Sequence, residues 1–481
     1  METTVRRLFE HASERAAHYR EDADERAPRA ADAPREAYAR FDGPTPETGE
    51  DPLAIIDALA DAAEPGLMDV SGRRFFGWVI GGSDEVGVAA DFLTSAWGQN
   101  AGNVFCSPAA AAAETVAARW LLDILRLPHE SAVGLVTGAT MANFVGLAAG
   151  RQAVLERAGW DLEADGLQGA PPIRVFIGEE AHSTTFAALR YLGFGQRQII
   201  RVETDGQGAM NAGALERALK AGEGPALIAA QAGQINTGAF DPVGDIVDVA
   251  AHAGAWVHVD GAFGLWARAC PDRAALAEGV EKADSWATDG HKWLQAPYDC
   301  GIAIVRDAEA CARTMSITAS YLPADEALRD RSHFTPELSR RARGFAVWAI
   351  LRRHGRAGIA EMVGRHCALA RRIADRLRDE PGLAVLNDVV LNQVALGFGE
   401  DWPAAARDQA AADVAAEIQR RNVVFAETSG WRGRRILRVS VISGDLTEPD
   451  ADRLADEVRR AWRAVRERGP AAAATPTDCM T

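Results

Sequence analysis

The sequence predicts an α/β protein whose main domain is a mostly parallel, seven-stranded sheet flanked by helices. Short apolar segments alternate with longer segments of helical periodicity between residues 107 and 306. The apolar segments do not alternate with polar residues, as expected for strands that are covered on both faces. The strand candidates are 133–137, 173–178, 198–203, 226–231, 256–260, 285–288 and 301–305.

Three further regions surround this sheet. Residues 1–70 are charge-rich and predict an N-terminal helical arm, and residues 71–345 form the large domain. Residues 346–469 predict a small α+β C-terminal domain, because a long helical stretch is followed by short strand and helix candidates. Residues 470–481 are rich in Pro, Ala and Thr and predict a disordered tail.

The composition excludes several classes of partner. The chain has 481 residues, with 52 Lys or Arg against 68 Asp or Glu, and a formal net charge of −16. Nucleic-acid binding and docking on anionic membranes both need a basic surface, so neither is expected. No apolar run reaches the ~20 residues of a membrane-spanning helix. The start of the chain lacks a signal-like apolar segment, and the six cysteines form no CxxC pair. A cytoplasmic protein without a disulfide scaffold or metal site is predicted.

Lys292 is the residue that the sequence marks most strongly for chemistry. It lies between His291 and Trp293, just after a strand candidate. Most lysines are solvated at the surface, but a partly desolvated amine forms Schiff bases with carbonyl groups. Asp260 ends an earlier apolar strand candidate, and the spacing of 292 − 260 = 32 residues fits one crossover between neighbouring strands. An ordinary Asp-Gly turn is the alternative for Asp260.

An aspartate and a lysine at adjacent strand ends match the needs of pyridoxal phosphate. The lysine takes the aldehyde carbon, and the carboxylate keeps the pyridine nitrogen protonated. A phosphate site is predicted where a strand turns into a helix through Gly138, with the backbone N–H groups of Ala139 and Thr140 and the Thr140 hydroxyl as donors. An ordinary tight turn explains the same glycine. His182 follows another strand candidate and is placed to stack on the pyridine ring, although a lone histidine is more often structural.

These motifs resemble, in order, those of the group II pyridoxal-phosphate decarboxylases, which include the aromatic-amino-acid, glutamate and diaminobutyrate enzymes. The resemblance is close over residues 70–350 and looser elsewhere. The segments that carry it are Thr137–Asn143, Ala181–Thr184, Asn236–Pro242, His258–Ala262 and Asp289–Trp293. It implies the aspartate aminotransferase fold (fold type I), an amino-acid substrate, and a homodimer with the active site at the interface.

The resemblance also implies a role for each site residue. Lys292 would hold the cofactor as a Schiff base and Asp260 would pair with the pyridinium nitrogen. Ala262 would pack on the ring face opposite His182, while His291 would sit beside the phosphate and could move protons. Trp78 and Ile80 lie in a segment that resembles the family's substrate-pocket segment, and they suggest an apolar or aromatic substrate side chain.

The sequence departs from the family pattern at two points, one at the phosphate site and one that bears on the reaction. Position 289 is Asp where the aromatic-amino-acid enzymes carry a phosphate-binding Asn, so Asp289 is not assigned to the phosphate. No tyrosine follows Tyr321 before Thr335, although a loop tyrosine protonates the substrate carbon in many members. His333 is the obvious substitute, and His182 and His291 are the other candidates.

Three readings of the reaction therefore stay open. The first is decarboxylation of an L-amino acid to the amine and CO2. The second is another reaction on the same cofactor, either decarboxylation with oxidative deamination to an aldehyde or transamination. Arg438 lies where related transaminases bind the substrate carboxylate, although a structural arginine on a strand is the alternative. The third, a non-catalytic scaffold, is disfavoured by the intact Lys292 and Asp260.

Overall fold

The protein is described by a computed structural model that covers residues 4–317 and 330–470. Its helices are α1 (Val5–Glu21), α2 (Pro34–Phe41), α3 (Pro52–Ala63), α4 (Glu85–Trp97), α5 (Pro108–Leu125), α6 (Ala139–Arg157), α7 (Leu162–Asp165), α8 (Ser183–Tyr191), α9 (Ala212–Lys220), α10 (Val243–His252), α11 (Ala308–Met315), α12 (Gly344–Leu377), α13 (Ala404–Arg421) and α14 (Glu448–Arg468). None of the described helices is long and apolar enough to cross a membrane.

The strands form two sheets. They are β1 (Ala132–Val136), β2 (Arg174–Gly178), β3 (Ile199–Val202), β4 (Ala226–Gln231), β5 (Trp256–Asp260), β6 (Ser285–Asp289), β7 (Gly301–Val305), β8 (Leu383–Val385), β9 (Gln393–Phe398), β10 (Glu427–Trp431) and β11 (Arg434–Ser440). The first seven form one sheet in the order β1-β7-β6-β5-β4-β2-β3, and the other four form a second sheet in the order β10-β11-β9-β8. The predicted α/β class and seven-stranded sheet are confirmed.

The large sheet is parallel except at β7, which runs antiparallel to both β1 and β6. Strands β6, β5, β4, β2 and β3 are paired in parallel. The carboxyl ends of these strands therefore meet at one edge of the sheet, where ligands bind in open α/β folds. Asp260 ends β5 and Asp289 ends the neighbouring β6.

The described residues divide into two compact units. One contains residues up to Trp78, Arg372–Val385 and Leu396 onward, and the other contains Val79–Arg371 and Leu386–Ala395. Our division of the chain at residues 70, 345 and 469 stays a prediction, and the tail from 471 lies outside the described residues.

The first unit is built around helices that cover the second sheet. Helix α13 packs against β11 and against α14. Trp462 of α14 is fully buried, and its ring lies 5.5 Å from the rings of Phe398 and Trp402. Near the start of the chain, His11 of α1 contacts Asp57 of α3 at 2.8 Å.

The second unit contains the large sheet, and α6 crosses its face. Two glycines of α6 let the helix approach β5 closely. A Cβ added at Gly146 would lie 2.5 Å from the ring of His258, and one added at Gly150 would lie 2.6 Å from the ring of Trp256. This close packing is what brings the amino-terminal end of α6 to the carboxyl ends of the strands.

Candidate active site

Asp260 is a buried carboxylate with three donors from its own chain. The Asn143 side-chain amide donates to Oδ2 at 3.0 Å, and the Thr185 hydroxyl donates to the same oxygen at 2.6 Å. The backbone N–H of Ala262 donates to Oδ1 at 3.2 Å. Hydrogen bonds to a charged acceptor contribute about 1.5–3 kcal/mol each. Asp260 is therefore fixed in position before any ligand arrives, which an ordinary turn aspartate would not need.

A chain of buried hydrogen bonds continues behind Asp260. Trp256 Nε1 donates to Ser285 Oγ at 2.9 Å, and Ser285 Oγ lies 2.8 Å from His258 Nδ1. His258 Nε2 lies 2.8 Å from Asn143 Oδ1. Because the Asn143 nitrogen already donates to Asp260, its oxygen must accept, so the neutral imidazole of His258 carries its proton on Nε2. Burial lowers the pKa of His258 to about 4, which keeps the ring neutral at pH 7.

The sequence analysis did not assign this chain of hydrogen bonds, although a signal for it exists. Trp256, His258 and Asp260 alternate along β5 and therefore face the same side of the sheet. Asn143 and Gly146 are three residues apart on α6 and face them. His258 is a polar residue within a fully buried strand, and it lies opposite Asn143 on the covering helix. Such an arrangement predicts a hydrogen bond between the two side chains.

Lys292 follows β6 by three residues, and its amine pairs with a carboxylate at the end of that strand. Its Nζ lies 3.0 Å from Asp289 Oδ2, and its side chain is largely buried. A Cβ added at Gly81 would lie only 2.1 Å from the Lys292 carbonyl oxygen. The segment that contains Ile80 and Gly81 therefore passes directly against the Lys292 main chain, and only a glycine fits at that point.

The predicted phosphate donors lie at the start of α6. Gly138 is the N-cap and supplies no side-chain acceptor, so the first N–H groups of the helix need another partner. Asp289 Oδ1 accepts the N–H of Ala139 at 2.6 Å, while Thr140 is half-buried beside it. Asp289 thus reaches the predicted phosphate site, although the sequence analysis did not assign it there.

His291 lies against the same carboxylate. Its Nδ1 accepts the backbone N–H of Cys300 at 3.2 Å, and its Nε2 lies 3.5 Å from Asp289 Oδ1. Burial lowers the pKa of His291, and the nearby Asp289 opposes that effect. The ring of Tyr298 stacks on His291 with the ring centres 4.3 Å apart, and 52% of Tyr298 is exposed. The sequence analysis did not single out Tyr298.

His182 is the N-cap of α8, the helix whose first turn carries Thr185. Its Nδ1 accepts the N–H of Thr184 and lies 2.7 Å from the Thr184 hydroxyl. Since Thr185 contacts Asp260, the first turn of α8 lies beside the carboxylate that is predicted to bind the cofactor ring. His182 is half-buried at that end of the helix.

Three other residues that the sequence predicts for the site are His333, Trp78 and Arg438. His333 lies in a short 3-10 turn, Arg331–Phe334, that packs against β1 and α11. Trp78 is 45% exposed, and its ring contacts Phe75 and Phe425. Arg438 lies on β11, where burial lowers its pKa to about 10. Tyr321 lies outside the described residues. The roles predicted for His333, Trp78 and Arg438 stay predictions.

Comparison with known proteins identifies the family. The model of the pyridoxal-dependent decarboxylase conserved domain matches residues 34–398, which is well over half of the chain. The chain belongs to the pyridoxal-dependent decarboxylase family. The resemblance predicted from the motifs is therefore confirmed, and so are the enzyme class and its cofactor, pyridoxal phosphate.

Relatives within the family carry different names. The chain is 32% identical over 342 residues to an aromatic-L-amino-acid decarboxylase of Bacillus atrophaeus, covering 68% of each chain. It is 26% identical over 433 residues to an acidic amino acid decarboxylase of Homo sapiens, covering 86% of this chain and 82% of the relative. Family membership therefore fixes the type of enzyme and not the amino acid on which it acts.

Solved structures show the same fold. The crystal structure of Oryza sativa TDC with PLP and tryptamine aligns with a TM-score of 0.89 at 24% identity, covering 96% of this chain and 98% of that one. The crystal structure of Rhodiola rosea 4-hydroxyphenylacetaldehyde synthase aligns with a TM-score of 0.86 at 20% identity, covering 96% and 99%. The fold is thus shared by proteins whose names indicate different products.

The residues of this chain fit the cofactor of the decarboxylase family. A fixed carboxylate, Asp260, and a largely buried amine, Lys292, match the two groups that the pyridine ring and the aldehyde need. The start of α6 already holds an anion, because the Asp289 carboxylate accepts the N–H of Ala139. Helix N-termini of this kind bind phosphate, so Ala139 and Thr140 would hold the phosphate group.

Proposed function

We propose that this decarboxylase removes CO2 from an L-amino acid and releases the amine, with Lys292 as the lysine that binds the cofactor. The observation that carries the proposal is that Asp260 ends β5 and Lys292 lies three residues beyond the carboxyl end of the neighbouring β6. Pyridoxal phosphate, when bound, supplies a ring that accepts the electrons left as CO2 departs. Asp260 holds a proton on the ring nitrogen, and its three donors keep it in place.

The rarity of lysine strengthens the assignment of Lys292. Lysine occurs three times in the sequence, at positions 220, 282 and 292. Lys220 and Lys282 are exposed, and Lys220 pairs with Glu216 on its own helix. Lys292 is thus the one lysine of the three that is largely buried, and it lies beside the predicted cofactor donors. A nucleophilic amine needs such a partly desolvated position.

The other site residues surround this pair. His182 packs on one face of the cofactor ring and Ala262 on the other, while His291 sits on the phosphate side. The position of α8 supports the role of His182, because the first turn of that helix also supplies Thr185 to Asp260. The backbone of Ala262 is held by Asp260 itself at 3.2 Å, which supports its place next to the ring.

Peptide mapping tests the covalent assignment directly. Reduction of the cofactor-loaded protein with borohydride should fix the cofactor on the peptide that contains Lys292. The visible absorbance of the bound cofactor should be lost in Lys292→Ala and retained in the matched surface variant Lys282→Ala. Cofactor attached to Lys282, or absorbance that survives Lys292→Ala, would contradict the proposal.

One feature of the sequence favours an aldehyde as the product. No tyrosine follows Tyr321 before Thr335, so the usual loop acid is missing. If protonation of the carbon is slow, O2 reacts instead, and the amino acid, O2 and water give the aldehyde, CO2, ammonia and hydrogen peroxide. The likeness to a phenylacetaldehyde synthase supports keeping this candidate, although it shows the fold alone. Transamination, with Arg438 on the substrate carboxylate, is the third candidate.

Product analysis separates these reactions. The holoenzyme would be incubated with a panel of L-amino acids while CO2, amine, aldehyde and peroxide are measured. Equal amounts of amine and CO2 support the first candidate, and aldehyde with peroxide supports the second. A keto acid without CO2 supports transamination and overturns both.

The proton donor can be identified by the product ratio. His333 is the donor that we propose from the sequence, with His182 and His291 as alternatives. The structure adds Tyr298, whose ring stacks on His291. His333→Phe and Tyr298→Phe should be compared, because the variant that lacks the true donor should shift the products from amine toward aldehyde. A ratio that is unchanged in a variant excludes that residue.

An apolar or aromatic substrate side chain is part of the proposal. Ile80 is half-buried beside the main chain of Lys292, and Trp78 belongs to an aromatic cluster with Phe75 and Phe425. The enzyme should therefore show a higher kcat/KM for aromatic than for acidic amino acids. The opposite preference would show that these two residues do not set the specificity.

We also propose that the enzyme is a cytoplasmic homodimer. The helix α4 carries five exposed apolar side chains, and apolar faces of this kind favour subunit contacts. A second copy of the chain should cover them, so Phe92→Glu should yield monomers in analytical ultracentrifugation. A wild-type protein that sediments as a monomer would refute the proposed dimer. Cell fractionation tests the proposed cytoplasmic location. The five side chains are Val86, Val88, Phe92, Leu93 and Trp97.

A further inference from the structure

The carboxylate of Asp289 takes up the donors that the phosphate of the cofactor needs. Its Oδ1 accepts the N–H of Ala139 at 2.6 Å and lies 3.5 Å from His291 Nε2, and its Oδ2 pairs with Lys292 Nζ at 3.0 Å. Asp289 is 3% exposed. A buried carboxylate with a helix N–H, an imidazole and an ammonium group around it is held like a bound anion.

The backbone around Asp289 fixes it in this place. Its N–H donates to the carbonyl of Ala262 at 2.9 Å, and its carbonyl accepts Trp266 Nε1 at 3.0 Å. The start of α6 is equally fixed, because a Cβ added at Gly301 would lie 2.4 Å from the backbone of Gly138. Because the backbone of Asp289 is hydrogen-bonded on both sides, an incoming anion would displace its side chain and not its backbone.

We propose that Asp289 acts as an internal anion that occupies the phosphate site of the free enzyme, and that the cofactor binds by displacing its carboxylate. This inference rests on the proposed roles of Ala139, Thr140 and Lys292. A phosphate and a carboxylate cannot share one N–H at hydrogen-bond distance, since like charges so close repel strongly at a buried site. The phosphate therefore contributes less to cofactor affinity in this chain than it would with a neutral residue at position 289.

Asp289 should affect the binding affinities of two forms of the cofactor differently. Pyridoxal lacks the phosphate and leaves the carboxylate of Asp289 at the start of α6. Pyridoxal phosphate has to displace that carboxylate from the Ala139 N–H, whereas both forms end its ion pair with Lys292, because both aldehydes react with the Lys292 amine. The ratio of the affinities for pyridoxal phosphate and pyridoxal thus reports the free energy needed to displace the Asp289 carboxylate. The contribution of the aldehyde is common to both forms and cancels in the ratio.

The matched change is Asp289→Asn. The amide oxygen still accepts the Ala139 N–H, while the amide nitrogen becomes a donor for the phosphate. Asp299→Asn is the control, because it removes a negative charge from the same segment. The side chain of Asp299 is partly exposed and pairs with Arg343 and not with the α6 donors.

Titrations of the cofactor-free protein test the proposal. Binding of pyridoxal phosphate and of pyridoxal would each be followed by quenching of tryptophan fluorescence, as Trp266 donates a hydrogen bond to the Asp289 carbonyl. We expect Asp289→Asn to bind pyridoxal phosphate about 10-fold to 100-fold more tightly, with a clearly smaller change for pyridoxal, because loss of the Lys292 ion pair affects both forms alike. Asp299→Asn should leave both affinities unchanged.

Two results would overturn the proposal. One is an affinity for pyridoxal phosphate that is unchanged or weaker in Asp289→Asn, and the other is an equal gain for both forms of the cofactor. Thermal unfolding gives a second readout, since the added cofactor should raise the Tm of Asp289→Asn more than that of the wild type. Failure of the proposed function would instead appear as cofactor absorbance that persists in Lys292→Ala. The ratio of the two cofactor affinities in Asp289→Asn is a separate measurement, so the two failures can be distinguished.

Discussion

The buried imidazole of His258 should make the stability of the protein depend on pH in a defined window. Its pKa is lowered from 6.5 to about 4 by burial, and the negative charge of Asp260 opposes that shift only in part. Below pH 6.5 the unfolded chain therefore binds a proton that the folded chain does not. Stability rises with pH from about 4 to 6.5 and is independent of this group above that range.

The size of the effect follows from the two pKa values. Each pKa unit corresponds to about 1.4 kcal/mol, so lowering the pH from 6.5 to 4 should cost the wild type roughly 3 kcal/mol through His258. The perturbation is His258→Gln, whose amide can still donate to Asn143 Oδ1 but does not titrate. At pH 7 the variant should be about 1 kcal/mol less stable, because the hydrogen bond to Ser285 is lost.

Urea unfolding of the cofactor-free protein, followed by tryptophan fluorescence from pH 4 to 8, gives the measurement. The informative quantity is the difference in free energy of unfolding between variant and wild type at each pH, because other buried groups also titrate. Burial raises the pKa of Asp241 to about 7, so its contribution is present at low pH and is lost as the pH rises. That opposite trend cancels in the difference. Two curves that stay parallel across the window would refute the reasoning for His258.

Two further changes test packing around the site. Glu114→Ala should destabilise the protein by about 3–5 kcal/mol, because the guanidinium of Arg340 is almost fully buried and would lose its carboxylate. Replacing both residues with Met should restore most of this loss in urea unfolding, and a double variant as unstable as the single one would contradict the prediction. Gly81→Ala should cost about 1–3 kcal/mol and weaken cofactor binding, since its Cβ would lie 2.1 Å from the Lys292 carbonyl. Gly206→Ala, which has open space around it, is the control for both measurements.

Much of the large sheet could be predicted from local sequence. The predicted and observed bounds of β4, β5 and β7 are identical, because each strand is a short apolar run that ends at a turn. The antiparallel direction of β7 was not predicted. The direction of β7 depends on the path of the connection after Lys292. The hydrophobic periodicity of the sequence carries no information about that path. The strand β10 was also missed, since Glu427–Trp431 is only partly buried and its composition is that of a loop.

The candidate site could be predicted only where a residue type carries its own chemical signal. Asp260 ends an apolar strand and Lys292 follows another by three residues, so both could be predicted from local sequence. Asn143 and Thr185 lie 117 and 75 residues away from Asp260 in sequence, and their contacts exist only after the sheet has formed. From the sequence alone, Asp289 is not assigned to the phosphate. The fold instead places its carboxylate on the N–H of Ala139.

The two carboxylates at the carboxyl ends of β5 and β6 show why residue type alone does not decide a role. Asp260 receives its hydrogen bonds from groups that are not assigned to phosphate or aldehyde, so in our proposal it keeps these partners when the cofactor binds. Asp289 receives its contacts from groups that we propose for the phosphate and the aldehyde, so in our proposal the cofactor replaces it there. The net charge of −16 has no bearing on this difference, since partners within 3.5 Å dominate at buried sites and distant surface charges are screened. The donors are Asn143, Thr185 and Ala262 for Asp260, and Ala139, His291 and Lys292 for Asp289.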